Sequence, residues 1–456
     1  MQQESHRLTI TFINHACVLI ETDETALLMD PWVEGTAFND GWCLLDTTTS
    51  NRAVIDHLET IGKPVWIWYS HEHSDHLSMP FLRALKDCAA LNPRILYQKT
   101  IDGRVAKVLR MHGWHVDELA AGKVFELAPR VSITVSPFHD SGDSYALVRA
   151  GGRSILNIND CAVDSAQKCE GVLAGVHAKP GEVDVLLTQF GYANWIGNEA
   201  DIEDRRRAAS EKVDRVALQY DHMQPKVIVP FASFTRFCHQ DNVYLNDAQN
   251  TVDALLGSPK LEAFRDRCLV MKPWDSVEIN DDDASVPERT QVASAYWRAL
   301  ASVEPSVVSR GEPVAIEHLE AAASGFLKAM DRNFGWLNRF AERLGAIKPV
   351  RIHLVDLNVT YVISYLRGLV KSYDEAWDVA MASPAFAFTL KNEFGFNTLL
   401  VNGRFRTAGA SAYQKMWRFF ILQDVKKMGF GLTSPVITAR LIWRNAKKFW
   451  ARRQAR

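Results

Sequence analysis

The N-terminal half of the chain alternates short apolar runs with turn residues, a pattern typical of β-strands. The run at 64–69 ends in a polar loop, as expected for a buried strand that delivers residues at its C-terminal edge. Gly151-Gly152 is a tight hairpin signal between two such runs. Strands are predicted at residues 8–12, 17–21, 26–29, 64–69, 131–136, 144–150, 153–157, 183–188 and 225–230. Helices are predicted at residues 79–90, 202–220 and 246–256.

The pattern changes at residues 280–287, an acidic run of small residues that ends in proline. This composition favours a linker between domains, and the alternative is a long surface loop inside one domain. The segments that follow are helical at 289–302 and 316–344, β-like at 350–365 and mostly helical at 373–394. We therefore predict four regions: a domain at 1–280, a linker at 281–290, a mostly helical α+β domain at 291–425 and a tail at 426–456.

The bulk composition agrees with a multidomain soluble protein. The chain has 456 residues, which is more than one ordinary core holds. A hydrophobic fraction of 47% and a charged fraction of 23% are ordinary, and a net charge of −2 argues against a global affinity for nucleic acid or membranes. Seven scattered cysteines and the lack of an apolar signal core predict reduced thiols in the cytoplasm. No run of about 18 apolar residues occurs, so no transmembrane helix is predicted.

A cluster of metal-ligand residue types follows the strand predicted at 64–69, in the order His71-x-His73-x-Asp75-His76. His71 and His73 are two residues apart and can chelate one metal, while Asp75 and His76 can reach a second beside it. Imidazole and carboxylate ligands suit zinc, iron or manganese. The cluster therefore predicts a site for two divalent metal ions rather than a solvated polar loop.

Two further candidate ligands each follow a predicted strand. His139 comes after the strand at 131–136, and Asp160 comes after the strand at 153–157. Their positions at strand ends match that of the cluster at 71–76, so we predict that they join it.

In this order the motifs resemble those of the metallo-β-lactamase superfamily. The resemblance implies an α/β fold, the αββα sandwich, with the site on one edge between two sheets. It makes the cluster at 71–76 the second motif and His139 the third. It also implies that Asp160 bridges the metals and that Asp30, in Leu-Met-Asp-Pro, orders a loop and is not a ligand.

The resemblance leaves two histidine assignments open. A late histidine ligand is implied, for which His239 is the first candidate and His222 the alternative. Asn14-His15-Ala16 resembles a Gly-His-Ala/Ser segment of the branch containing ascorbate-6-phosphate lactonase and N-acylphosphatidylethanolamine phospholipase D. His15 is thus either a site-facing group that contacts substrate or the ligands, or a buried structural histidine.

A second resemblance, over roughly residues 8–280, is to the metal-site domain of CMP-N-acetylneuraminate hydroxylases, on the runs 230–242 and 191–197. Those hydroxylases also carry a Rieske cluster, which needs Cys-x-His and Cys-x-x-His pairs. Neither pair occurs in this sequence, so the resemblance implies oxygenation only with a separate electron donor. In the run 191–197, Asn194 and Trp195 either line a substrate pocket or belong to an ordinary packed loop.

Basic segments and the C-terminal region also leave alternatives. The run 205–207 with Lys212 and Arg215 either binds phosphate or forms the solvated face of a helix. The tail at 426–456 has nine Lys or Arg and no acid, with apolar positions at helical spacing. It either contacts the inner face of an anionic membrane peripherally or packs on the protein.

The segment 352–405 resembles sterol-carrier-protein-like domains, which bury apolar ligands or mediate dimers.

These motifs predict a hydrolase that uses a metal-activated water on a phosphorylated, nucleotide-linked or lipid-linked substrate. Asp75 and Asp160 would be the catalytic carboxylates, as metal ligands that orient the water. The alternative is an iron-dependent oxygenase that works with a separate electron donor. A non-catalytic binding module is disfavoured, because binding alone does not need five histidines and two aspartates together.

Overall fold

The computed structural model describes residues 7–88, 90–138, 142–279, 285–427 and 431. The strands are β1 (Leu8–Asn14), β2 (Cys17–Thr22), β3 (Ala26–Met29), β4 (Thr36–Ala37), β5 (Trp42–Leu44), β6 (Val65–Tyr69), β7 (Arg94–Gln98), β8 (Val116–Leu119), β9 (Lys123–Ala128), β10 (Val131–Pro137), β11 (Ser144–Ala150), β12 (Arg153–Asn157), β13 (Val185–Gln189), β14 (Val227–Phe231), β15 (Thr235–Phe237), β16 (Ser276–Glu278), β17 (Val350–Leu354), β18 (Val359–Ser364), β19 (Gly368–Ser372), β20 (Val379–Met381) and β21 (Arg406–Thr407). The helices are α1 (Asn51–Thr60), α2 (Met79–Lys86), α3 (Arg104–Met111), α4 (Ala166–Gly175), α5 (Ile202–Met223), α6 (Val252–Leu256), α7 (Val286–Ala301), α8 (Ile316–Phe334), α9 (Leu337–Arg343), α10 (Ser383–Lys391), α11 (Gly395–Asn402) and α12 (Ala410–Lys427), with 3₁₀ helices at Val243–Ala248 and Pro259–Arg267.

Two large sheets form the N-terminal part of the described chain. Their strand orders are β16-β1-β2-β3-β6-β7-β8 and β14-β13-β12-β11-β10-β9. Each sheet joins an antiparallel half to a parallel half: β3, β6, β7 and β8 are parallel in the first, and β12, β13 and β14 in the second. Because carboxyl ends of parallel strands share an edge, the loops after β3 and β6 leave the first sheet together.

Strand β6 shows how the layers are stacked. Trp66 and Trp68 point into the core that the two sheets share, while Ile67 and Tyr69 point into a second core that contains residues of α1, α2 and α3. This alternation is the two-residue period of a strand buried on both faces. With α4 and α5 against the second sheet, the layers form the predicted αββα sandwich.

Helix α7 belongs to the N-terminal core. The ring of Trp297 stacks on Phe234 at a centroid distance of 4.0 Å, and its indole N–H donates to the Met271 carbonyl at 2.8 Å. In the described chain the N-terminal hydrophobic core therefore extends to α7, which lies beyond the start of the linker predicted at 281–290.

The C-terminal part has its own sheet, of order β19-β18-β17-β20-β21, and its own hydrophobic core. Helices α8, α10, α11 and α12 contribute to that core. The predicted fold class, an αββα sandwich followed by a mostly helical α+β region, is confirmed by this arrangement.

Several element boundaries differ from the sequence predictions. The helix predicted at 316–344 is broken at Gly335, whose φ of 60° ends α8. The segment 373–394 is helical only in α10, because Val379–Met381 pairs with β17 instead. The helix predicted at 246–256 is a 3₁₀ helix and α6 with a break between them, and α2 ends at Lys86.

The predicted tail lies, after Lys427 and apart from Gly431, outside the described residues. Among the helices that the structure does describe, none is both long and apolar enough to cross a membrane.

Candidate metal centre

The candidate site is built where several strands end. His71 to His76 form the loop after β6, Asp160 lies three residues beyond β12, and His15 sits in the turn between β1 and β2. His15 has a φ of 44°, which the tight turn requires. Side chains from both sheets thus meet at one edge of the sandwich, as the motif order predicted.

One group of potential ligands combines His71, His76 and Asp160, whose ligand atoms lie within 4.8 Å of one another. The Oδ2 atom of Asp160 is 3.5 Å from Nε2 of His76 and 3.9 Å from Nε2 of His71. Both rings are buried, and Asp160 is partly exposed at 24%. The group is therefore open to solvent on the Asp160 side.

A second group shares His76 and adds His15 and Asp75, again within 4.8 Å. The Oδ2 atom of Asp75 lies 3.5 Å from Nε2 of His15 and 3.5 Å from Nε2 of His76. All three side chains are buried. The Nε2 atom of His76 can ligate only one ion, so the shared residue makes the two groups one continuous cluster, in which two cations would lie side by side.

His73 joins the site through its neighbours. Its Nδ1 is 2.9 Å from Nε2 of His71, close to the roughly 3.4 Å expected for two imidazoles on one tetrahedral zinc ion. Its Nε2 is 3.2 Å from Oδ1 of Asn397, at the start of α11. The C-terminal part therefore contributes a polar group directly beside the predicted ligands.

Asp30 orients the loop rather than ligating. Its carboxylate accepts hydrogen bonds from the Ser70 backbone N–H at 2.8 Å and from the Ser70 hydroxyl at 2.7 Å. The same carboxylate lies 3.0 Å from Nδ1 of His76, and the Ser70 hydroxyl lies 2.9 Å from Nδ1 of His71. These contacts leave the Nε2 atoms of both histidines facing the site, as hydrogen bonds to the outer nitrogen of a metal-binding histidine do.

The electrostatics of the site favour positive charge. Burial by itself would lower the pKa of His76, but the carboxylates of Asp75, Asp160 and Asp30 raise it well above its ordinary value. Burial would raise the pKa of Asp160, yet His76 and His71 hold it below its ordinary value. The buried carboxylates are thus stabilised as anions that a cation can neutralise.

Unsatisfied buried atoms test whether the residues fit a metal. Among the described residues, Nε2 of His76, Oδ1 of Asp75 and both ring nitrogens of His15 are buried without a hydrogen-bond partner. Such orphan atoms are costly unless a ligand satisfies them. Their types, imidazole nitrogen and carboxylate oxygen, are those that bind zinc, iron or manganese. The donor set therefore fits the two divalent ions predicted.

Three other histidines were predicted as ligands or as alternatives. His139 lies outside the described residues, and His239 and His222 lie away from the two ligand groups. His239 is buried beside Asp241, whose backbone N–H donates to its Nδ1 at 3.1 Å, and burial and Arg404 lower its pKa to about 4. His222 is exposed in the last turn of α5. Neither belongs to the two ligand groups in the described chain, whereas His15 belongs to the second group.

The loop formed by the run 191–197 reaches the C-terminal core. The ring of Trp195 stacks on Tyr413 at 5.1 Å and lies 4.7 Å from Phe405, and its backbone N–H donates to the Leu400 carbonyl. Asn194 is exposed. In the structure Trp195 holds the two parts of the chain together, and a pocket-lining role for these two residues stays a prediction.

The basic run on α5 divides into two kinds of residue. Arg205 is buried, and its guanidinium forms an ion pair with Asp247 at 2.6 Å, so it is structural. Lys212 instead donates to the side chain of Gln189, at the end of β13, at 3.1 Å. Desolvation and Arg215 lower the pKa of Lys212 to about 8, and Asp160 is close enough to oppose that shift. Lys212 is therefore close enough to Asp160 for the two charges to interact.

Sequence reasoning missed Ser70 and Asn397. Ser70 directly precedes the motif, and a serine at that position gives a hydroxyl beside the first ligand, which is a usable signal. Asn397 is 324 residues from His73, and no local pattern relates the two.

Comparison with known proteins agrees with this geometry. Residues 9–141 match the family model described as a beta-lactamase superfamily domain. The N-terminal part of the chain is a metallo-β-lactamase-fold domain, the class that its sheet order and ligand groups define.

Two curated relatives match further along the chain. Cytidine monophosphate-N-acetylneuraminic acid hydroxylase of Mus musculus is 24% identical over 324 residues, covering 63% of this chain and 51% of the relative. The protein of that name from Asterias rubens is 27% identical over 273 residues, covering 56% and 39%. The chain therefore spans about half, or less, of the length of the relatives it matches.

A solved structure is also similar. Igni18, titled a novel metallo hydrolase from Ignicoccus hospitalis, is 14% identical, with 60% of this chain and 100% of that chain covered and a TM-score of 0.41.

Proposed function

We propose that the protein is a dinuclear-metal-dependent hydrolase. The observation that carries the proposal is the pair of ligand groups that share His76, with orphan donor atoms of His15, His76 and Asp75 turned toward one another. Two divalent ions at this site would supply Lewis acidity and would lower the pKa of a bound water toward neutrality. Asp75 and Asp160 would hold them, with Asp160 on the side that is open to solvent.

The residues around the ligands prepare them for this role. Asp30 and Ser70 fix the tautomers and ring orientations of His71 and His76. Asn397 restrains His73 from the opposite side. These contacts hold the ligand atoms in place before substrate arrives, so that little reorganisation is needed during the reaction.

The charge of Lys212 supports an anionic substrate. Its ammonium is held beside Gln189, within the electrostatic reach of Asp160. A cation there favours an anionic group, such as the phosphate of a phosphorylated, nucleotide-linked or lipid-linked substrate.

A second candidate function is hydroxylation by a diiron centre with a separate electron donor. The observation that favours it is that the curated relatives described above are hydroxylases of a nucleotide-linked sugar acid, as their names state. Histidine and carboxylate ligands serve iron as well as zinc, so the donor set accommodates both reactions.

Anaerobic turnover tests the proposal. Protein loaded with zinc or manganese is incubated without oxygen with the model esters p-nitrophenyl phosphate and bis-p-nitrophenyl phosphate. Hydrolysis should occur, and Asp160→Asn should lower its rate by at least about a hundredfold, because the first ligand group loses its carboxylate. Asp164→Asn is the matched control, since Asp164 lies only four residues away and pairs with Lys168 outside the ligand groups.

The two candidates predict opposite dependence on oxygen. Activity that requires iron, an electron donor and oxygen, together with no anaerobic hydrolysis of either ester, contradicts the hydrolase and supports the hydroxylase. Equal rates for the Asp160→Asn and Asp164→Asn variants, in whichever assay shows wild-type turnover, contradict the role of this metal centre in both candidate reactions.

A further inference from the structure

An exposed apolar surface lies at helix α9 in the C-terminal part. Trp336, Leu337, Phe340 and Leu344 are 64%, 41%, 47% and 68% exposed, and we call these four residues the α9 patch. The rings of Trp336 and Phe340 pack edge to face, with centroids 5.2 Å apart. Side chains of this size are normally buried, and a clustered exposed group indicates an interaction surface.

Exposed basic side chains flank the patch along the chain. From residue 332 to residue 348 they are Arg332, Arg339, Arg343 and Lys348, of which Arg339 forms an ion pair with Asp331. The only acid in that stretch, Glu342, is buried and accepts hydrogen bonds from Ser364 and from the Tyr365 backbone N–H at the β18–β19 turn. Aromatic and leucine side chains with a basic rim match the interface of an anionic bilayer, where rings and headgroups meet.

Gly431, the last residue that the structure describes, lies close to the start of this patch. It lies against the Asn333 side chain, so close that a Cβ at residue 431 would overlap it. Asn333 is three residues before Trp336. In the sequence, the 25 residues after Gly431 contain seven Lys or Arg, no acid and two tryptophans.

We propose that the α9 patch docks this protein onto an anionic lipid bilayer. The four apolar side chains enter the headgroup region, and the exposed basic residues Arg332, Arg343 and Lys348 attract anionic lipid. Stable peripheral binding generally needs two signals of this kind together. Charge disfavours the basic tail itself as the occupant, because tail and rim carry the same sign.

Vesicle flotation of the full chain tests the proposal. We expect binding to vesicles of phosphatidylcholine with phosphatidylglycerol, weakened by salt, and much weaker binding to phosphatidylcholine alone. The double variant Trp336→Ser, Phe340→Ser should lower the partition coefficient by at least about tenfold, because two aromatic anchors are lost. The swap Trp336→Phe, Phe340→Trp should keep it. Trp274→Ser is the matched control, since Trp274 is exposed on the N-terminal part.

Three outcomes would overturn the proposal. Wild-type protein could fail to float with anionic vesicles. The double variant could float as well as wild type, which would assign binding to the segment after Gly431 alone. The double variant could convert a dimer to a monomer in light scattering while vesicle binding stays unchanged, which would make the patch an interface between copies of this chain.

Discussion

The ring of His15 is the least satisfied of the histidines in the candidate site. Neither of its nitrogens has a hydrogen-bond partner among the described residues, although the ring is buried between Trp32 and His76. We expect His15→Ala to lower the metal content from about two equivalents to about one, because the second ligand group loses a donor. Metal analysis by mass spectrometry after dialysis measures this.

His222→Ala is the control for that experiment, because His222 is an exposed histidine on α5. Its metal content should equal that of the wild type. If His239→Ala removes the second metal while His15→Ala leaves it bound, the late histidine favoured by the motif order is the ligand after all, and the assignment of His15 is wrong.

Lys212 gives the site a pH dependence. Its pKa of about 8 is below the ordinary value, so its ammonium is charged below about pH 8 and neutral above it. Arg215 lowers this pKa and Asp160 raises it, while the hydrogen-bond partner Gln189 is neutral. Attraction for an anionic substrate should therefore weaken as the pH rises through 8, which appears as a rise in KM.

The substitution Lys212→Met should remove that step and raise KM at neutral pH by about tenfold, which is typical of one lost charged contact. Lys260→Met is the matched control, because Lys260 pairs with Asp214 at the surface. A KM profile that keeps its step near pH 8 in the Lys212→Met variant would assign the titration to another group.

At this scale the sequence predicted the ligands that are close together in it. His71, His73, Asp75 and His76 are recognisable because their spacing alone permits chelation, and Asp160 because it follows a strand. For His15 the sequence left open a contact with substrate or the ligands and a buried structural role, and it did not predict a ligand. Its approach to Asp75 depends on the β1–β2 turn and on which strands are adjacent, and neither follows from local pattern.

Helix α11 joins the C-terminal part to the loop that covers the metal site. Asn402 donates from its side chain to the Phe38 carbonyl at 3.0 Å, and Asn242 donates to the Asn402 carbonyl at 2.6 Å. Gly41 packs so closely that a Cβ there would overlap the Asn402 side chain and backbone. The approach of α11 therefore requires glycine at position 41.

We expect Gly41→Ala to lower the free energy of unfolding by about 1–3 kcal/mol, because overpacking forces α11 away from the loop. The midpoint of thermal unfolding and the rate of limited proteolysis between the two parts measure the effect. Gly171→Ala is the control: a Cβ at residue 171 meets nothing within 4 Å. Unchanged stability and proteolysis in Gly41→Ala would show that the loop yields without cost.

At the scale of elements the apolar runs of the N-terminal half predicted the strands well, since burial on both faces leaves an unbroken run such as β6. The C-terminal half was harder. Residues 379–381 form a strand only because β17 and β21 flank them, and Gly335 interrupts a helical period that continues on both sides. Pairing with distant strands determined the strand at 379–381, and one positive φ determined the helix end at Gly335. The periodicity of apolar residues carries no information about either.

The two parts of the molecule share one boundary near the metal site. Asn397 contacts His73, Arg404 donates to the Asn39 carbonyl at 2.7 Å, and Asn198 donates to the Thr407 carbonyl at 2.8 Å. Stacking of Trp195 on Tyr413 adds apolar contact to these hydrogen bonds. The sequence predicted two domains. Nothing in it predicted that the C-terminal part would place Asn397 beside the candidate metal site of the N-terminal part.

This boundary predicts how metal binding stabilises the whole chain. An ion that binds the folded but not the unfolded state stabilises the fold by about 4 kcal/mol at a thousandfold excess over its Kd. Because α11 rests on the loop beside His73, the C-terminal part should gain from the ion too, so that added zinc or manganese raises one shared unfolding midpoint and chelation lowers it. Differential scanning calorimetry with and without chelator measures this midpoint. The Asp160→Asn variant should lose the shift of the midpoint on metal addition, and Asp164→Asn should keep it. Two separate transitions, of which only one responds to metal, would show that the contacts at Asn397, Arg404 and Thr407 are too weak to couple the two parts.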